Sequence, residues 1–168
     1  MRNSLPSAGT TPSAESFVSG LRDEHSALAS FTVLLQAEQD ALVQCDAERV
    51  SDLAKDKSIH IARLTQLGEQ RSRHLAAQSL SGTAEGMRTW LGRNPELATT
   101  TQRIWQDLLA QAKTAWRIHE SNGNMIESQL QQIRHKLAVL RLSSPDDRVY
   151  SSDGRLRPMR STRSFSQV

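Results

Sequence analysis

The stretch PELATTTQRIWQDLLAQAKTAWRIHESNGNMIESQLQQIRHKLAVLRL, residues 95–142, decides the fold. Past Pro95 it contains no proline, and apolar residues return every three or four positions, from Leu97, Ile104 and Leu108 to Ile126, Leu130, Ile133, Leu137 and Leu140. That period belongs to one amphipathic helix, and Pro95 suits its first turn, where a backbone N–H has no partner anyway. At about 1.5 Å per residue, a helix over 96–142 reaches roughly 70 Å, too long for a globule and natural for an elongated bundle.

Upstream, residues 13–94 are also free of proline. Leu21, Leu28, Leu35 and Leu42 recur every seven residues, broadened by Phe17, Phe31 and Leu34, so with Ser13 as N-cap a first helix is predicted over 14–44. Asp46 is the candidate N-cap of a second helix, with Glu48 in the first turn, where the helix dipole favours negative charge. Val50, Leu53, Ile61, Leu64, Leu67 and Leu75 mark its buried face, and the helix ends near Gln78, before Ser81-Gly82. Lys57, His60 and Arg71 fall near that seam, with stems expected on the core edge and polar heads in water. Thr83 to Leu91 makes a short helix carrying Met87, Trp90 and Leu91, closed by Gly92 and Asn94-Pro95. The fold expected is all-α: an elongated antiparallel up-and-down bundle of three long helices plus one short one over 13–142. Residues 1–12 and the Arg/Ser-rich tail 143–168 are expected to be disordered, being too poor in apolar residues to bury a surface.

Composition narrows the function. With 168 residues, 4% aromatics, eight glycines and five prolines, one helical domain fits and a β-sandwich does not. Residues 15–142 carry 15 basic and 15 acidic side chains, so the net charge of +3 resides in Arg2 and in a tail with five arginines against three aspartates. The body therefore lacks the basic stripe that nucleic-acid binding needs. Cys45, the sole cysteine, excludes an internal disulfide and a cysteine-based zinc site. Its acidic neighbours Asp46 and Glu48 disfavour a reactive thiolate, so a half-buried structural role is expected. None of the five histidines follows a glutamate by three positions, the spacing of helical di-iron sites, and no phosphate loop, dinucleotide fingerprint or nucleophile elbow occurs. No metal, cofactor or catalytic residue is predicted. The opening residues hold no apolar signal-like run, and no stretch approaches the roughly 20 residues of a membrane span, so a cytoplasmic protein without membrane insertion is expected.

The unusual feature is Asn122-Gly123, which interrupts a strong helical pattern where Gly costs about 1 kcal/mol relative to Ala. Either a close helix crossing needs the glycine while Asn122 fixes register, or the pair is a weakened joint beside a docking surface. Beyond it, Met125, Ile126, Leu130, Ile133, Leu137 and Leu140 form a narrow apolar ridge that either packs on the first two helices or overhangs them as a partner-binding groove.

Several separated patterns then coincide. Leu28, Phe31, Leu35, Glu38 and Leu42 precede KSIHIARLTQLGEQR at 57–71. Asn122-Gly123-x-Met125-Ile126-Glu127 with its apolar helix to Leu140 follows, and then Tyr150-Ser-Ser-Asp153-Gly154. In order and spacing they resemble the FlgN family of bacterial flagellar export chaperones, over roughly residues 20–155. The resemblance implies a cytoplasmic type III export chaperone that binds the C-terminal segments of the hook-associated junction proteins FlgK and FlgL. Such a chaperone prevents their early assembly and delivers them to export apparatus components at the gate. It also implies Asn122, Met125, Ile126, Leu130, Ile133, Leu137 and Leu140 as client-binding residues, and Tyr150, Asp153 and Gly154 as gate-docking residues. Two rivals remain: a coiled-coil scaffold that dimerises through its leucine seam, and an RNA or membrane binder using Arg148, Arg155, Arg157, Arg160 and Arg163.

Overall fold

A computed structural model describes residues 14–143, with side chains to residue 141. Most of the two expected disordered ends, including Tyr150, Asp153 and Gly154, lies outside the described residues. The order is α1 (Ala14–Val43), α2 (Ala47–Ala77), α3 (Ala84–Arg93) and α4 (Pro95–Ser143), an all-α bundle. The chain divides into two compact units, the first reaching Ile126 and the second beginning at Glu127. In the described part of the second unit, α4 simply continues as helix.

Each boundary has a local cause. Cys45 adopts a left-handed backbone (φ 56°) between α1 and α2, and the Asp46 side chain accepts the Arg49 N–H at 2.9 Å, capping α2. The two helices are therefore separated by a true turn rather than a kink. Ser79, also left-handed (φ 58°), ends α2. The α2–α3 connection then folds back so tightly that a Cβ on Gly86 would run into the Ser81 carbonyl, a demand for glycine that the sequence alone does not reveal. Helix α3 continues past Gly92 to Arg93, and Asn94 closes it by donating from its amide to the Trp90 carbonyl at 2.8 Å. Cys45 is exposed, not half-buried as expected, because it sits in this turn and not on a helix face.

Two part-buried ion pairs, each with its carboxylate buried, set the α1–α2 register. Arg71 Nη1 donates to both Glu24 oxygens at 3.0 and 3.2 Å, and Lys57 Nζ donates to both Glu38 oxygens at 3.0 and 2.9 Å. The pairs lie two heptads apart on each helix, with Phe31 and Leu64 in one apolar cluster between them, so α1 and α2 run antiparallel. A slip of one heptad would set a glutamate against Leu64, leaving a buried carboxylate unpaired. The expectation that the Lys57 and Arg71 heads reach water is thus corrected: both turn inward to carboxylates on α1, and Arg71 also lies 5.1 Å from the Trp105 ring of α4. Ile61, expected on the buried face, is exposed because it falls a residue outside the seam through Lys57, Leu64 and Arg71.

The base of the bundle is apolar. Phe17, Val18, Leu21, Leu75, Met87 and Trp90 form one cluster, closed by Leu97, Ile104 and Trp105 of α4. His74 is buried there, stacked on Phe17 at 4.2 Å, and its Nε2 lies 3.0 Å from Gln78 Nε2. A glutamine NH2 can only donate, so this contact requires an unprotonated His74 Nε2. Burial independently pushes the imidazole below its usual pKa. The neutral form is favoured in the fold, so the stability His74 contributes is complete above its unfolded value of about 6.5 and is lost as pH falls through the lower folded value. Glu24 acts with the opposite sign: burial raises its pKa against the lowering effect of Arg71, so its contribution is present in acid and lost as pH rises. Melting temperature measured at descending pH should decline below about 6.5 in the native chain, and His74→Gln should flatten that decline. Equal slopes for both proteins would refute the assignment.

Candidate functional site

Helix α4 carries two apolar seams, rotated from one another by one residue, or about 100°. The first runs Thr101, Ile104, Leu108, Gln111, Ala115, Ile118, Asn122 and Met125, every member buried or partly buried. Leu108 and Ala115 share a core cluster with Leu28 and Leu35 of α1, and Ile118 and Trp105 pack against it. The second seam is displaced by one position: Leu109, Ala112, Trp116, His119, Gly123, Ile126, Leu130, Ile133, Leu137 and Leu140. Apart from the partly buried Ile126, all are exposed, Trp116 at 61%, Leu130 at 47%, Ile133 at 53% and Leu137 at 49%.

Asn122 explains how the first seam is held. It is 0% exposed, and its Nδ2 donates to the Leu35 carbonyl and to Glu38 Oε2, both at 2.9 Å. Glu38, 3% exposed, thereby accepts from α2 through Lys57 and from α4 through Asn122. Next to it, Gln39 Nε2 donates to Ser121 Oγ at 3.3 Å. One carboxylate thus joins three helices and fixes the axial position of α4. Of the two sequence-level accounts of Asn122-Gly123, the structure supports the register role for Asn122, but not a tight crossing at Gly123. A Cβ there would meet nothing within 4 Å, and the helix passes through both residues unbroken.

The structure therefore sorts the expected client-binding residues. Asn122 is buried and Met125 and Ile126 are partly buried, whereas Leu130, Ile133, Leu137 and Leu140 continue the second register where every residue from 130 to 141 is exposed. Leu109 and Trp116, counted in sequence among the helix's general apolar positions, belong to the outer seam as well. The one-residue offset is present in the sequence, but which register packs shows only once α4 is set against Leu35 and Glu38. Among the described residues, no three His, Cys, Asp or Glu side chains are grouped to hold a metal, and no helix is long and apolar enough to cross a membrane.

An all-α bundle that spends a long stretch of helix on an outward apolar strip has the makings of a binding protein for amphipathic segments. The family is explicit: the model of the FlgN protein family matches residues 13–158, and the chain belongs to that family. Its role is accordingly that of a flagellar export chaperone, in a family whose members are chaperones of hook-associated proteins and not enzymes. No curated protein and no solved structure matches the chain.

Proposed function

We propose that the chain is a cytoplasmic chaperone of the junction proteins FlgK and FlgL, and that the outer seam of α4 takes their C-terminal segments. The observation that carries this reading is the exposure of Leu130, Ile133 and Leu137 at helical spacing. A client segment disordered in solution folds as an amphipathic helix along the strip, and burial of its apolar face contributes about 25 cal/mol per Å², less the entropy of ordering the segment. Once its end is covered, the client cannot assemble early. Ile126 and Leu140 extend the strip, Met125 borders it, and Asn122 acts behind it by holding α4 in register. Delivery to the export gate falls to Tyr150, Asp153 and Gly154, a role that rests on the family resemblance.

The test is a calorimetric titration of the full chain with peptides covering the C-terminal segments of FlgK and FlgL. Saturable binding with a negative heat-capacity change and a gain in helical circular dichroism is expected. Neither peptide producing heat or helix, with intact hook-associated proteins also failing to bind, would rule the reading out.

A further inference from the structure

The same strip is self-complementary in charge. On α4, Glu127 and Arg134 flank the outer seam one heptad apart, on the side away from the packed seam, and Arg141 follows a heptad later. All three are exposed, and Glu127 and Arg134, about 10 Å apart along the helix axis, stand too far apart to pair with each other within one chain. We infer that two copies of this chain pair antiparallel along α4, with Leu130 of each packed on Ile133 of the other and Glu127 of each facing Arg134 of the other.

The register follows from charge. In an antiparallel pair, flanking residues of one kind face each other, and setting Leu130 opposite Ile133 brings Glu127 to Arg134 twice by symmetry. Ile126 then lies opposite Leu137. At the ends, Gly123, whose surroundings leave room for a side chain, comes opposite a leucine of the second copy. Each alternative juxtaposes like charges. Sliding one heptad toward the C-terminus gains Glu127 on Arg141 twice but sets Arg134 on Arg134 and Lys136 on Lys136, and sliding the other way gains Glu120 on Arg134 twice but sets Glu127 on Glu127 and Lys113 on Arg141 twice. A parallel pair puts Lys136 of one helix against Arg141 of the other. The seam is short, so the association is of the weak, concentration-dependent kind. This inference uses the exposure and charge of the strip and not the client reading; if both hold, a client displaces the second copy.

Sedimentation of the full chain over a wide concentration range tests it. The mass should rise from 18.7 kDa toward twice that value. E127R and R134E, each placing like charges across the seam twice, should weaken association about tenfold. The double variant E127R/R134E should restore it, and an equimolar mixture of the two single variants should form the heterodimer. Circular dichroism confirms that each variant folds, and peptide titration follows client binding separately. A monomer up to the solubility limit, single variants as associated as the native chain, or no recovery on charge exchange would each overturn the proposal.

Discussion

Leu130→Asp is expected to lower affinity for a junction-protein segment by about 2 to 4 kcal/mol, roughly 30- to 1,000-fold, without unfolding the chain. Leu130 is 47% exposed, so an aspartate there is solvated in the free protein and costs the fold little. In the complex the same carboxylate is stripped of water against an apolar client face with no partner to receive it, which is where the penalty arises. Calorimetric titration alongside thermal melting separates the two effects. Native affinity with an unchanged melting temperature would remove the outer seam from the client interface. Asn122→Ala should do the reverse, lowering stability first and affinity only through the position of α4.

The second large effect falls on the fold. Glu38→Ala removes the acceptor shared by Lys57 and Asn122, leaving an ammonium group with a side chain only 14% exposed and no carboxylate. Breaking one half of a buried pair costs about 3 to 5 kcal/mol, and the long lysine stem, able to swing toward water, sets the expectation at the lower end. Urea unfolding measures it. Adding Lys57→Met should recover much of the loss, since the orphaned charge disappears with its partner. A loss below about 1 kcal/mol in Glu38→Ala would mean that the three-helix node does not hold the register.

Much of this molecule is legible in its residues. Heptad leucines in α1, the Asp46 cap, Pro95 and the uninterrupted pattern after it place every helix to within two residues, because each signal is local. The inward turn of Lys57 and Arg71 is not legible, since a basic residue at a seam edge can snorkel or pair, and the choice depends on which α1 residue stands opposite. Gly86 is silent for the same reason: its need arises from the path of the Ser81 carbonyl. The ridge on α4 is visible as a set of apolar positions. Dividing it into a packed and an outward register, and so moving Asn122 from surface contact to internal support, requires knowing which heptad meets Leu35 and Glu38.

The separation in sequence between Asn122 and Leu35, 87 positions, has a bearing on how the protein comes into being. On the ribosome the α1–α2 hairpin, whose ion pairs span only 19 and 47 positions, can assemble early, while α4 must wait to be threaded against it. The part of the strip from Ile126 to Leu140 lies at the far end of α4 and is translated after nearly all the residues that build the core. That part of the strip is therefore made after the residues that seat α4, which shortens the interval in which it could seed misfolding.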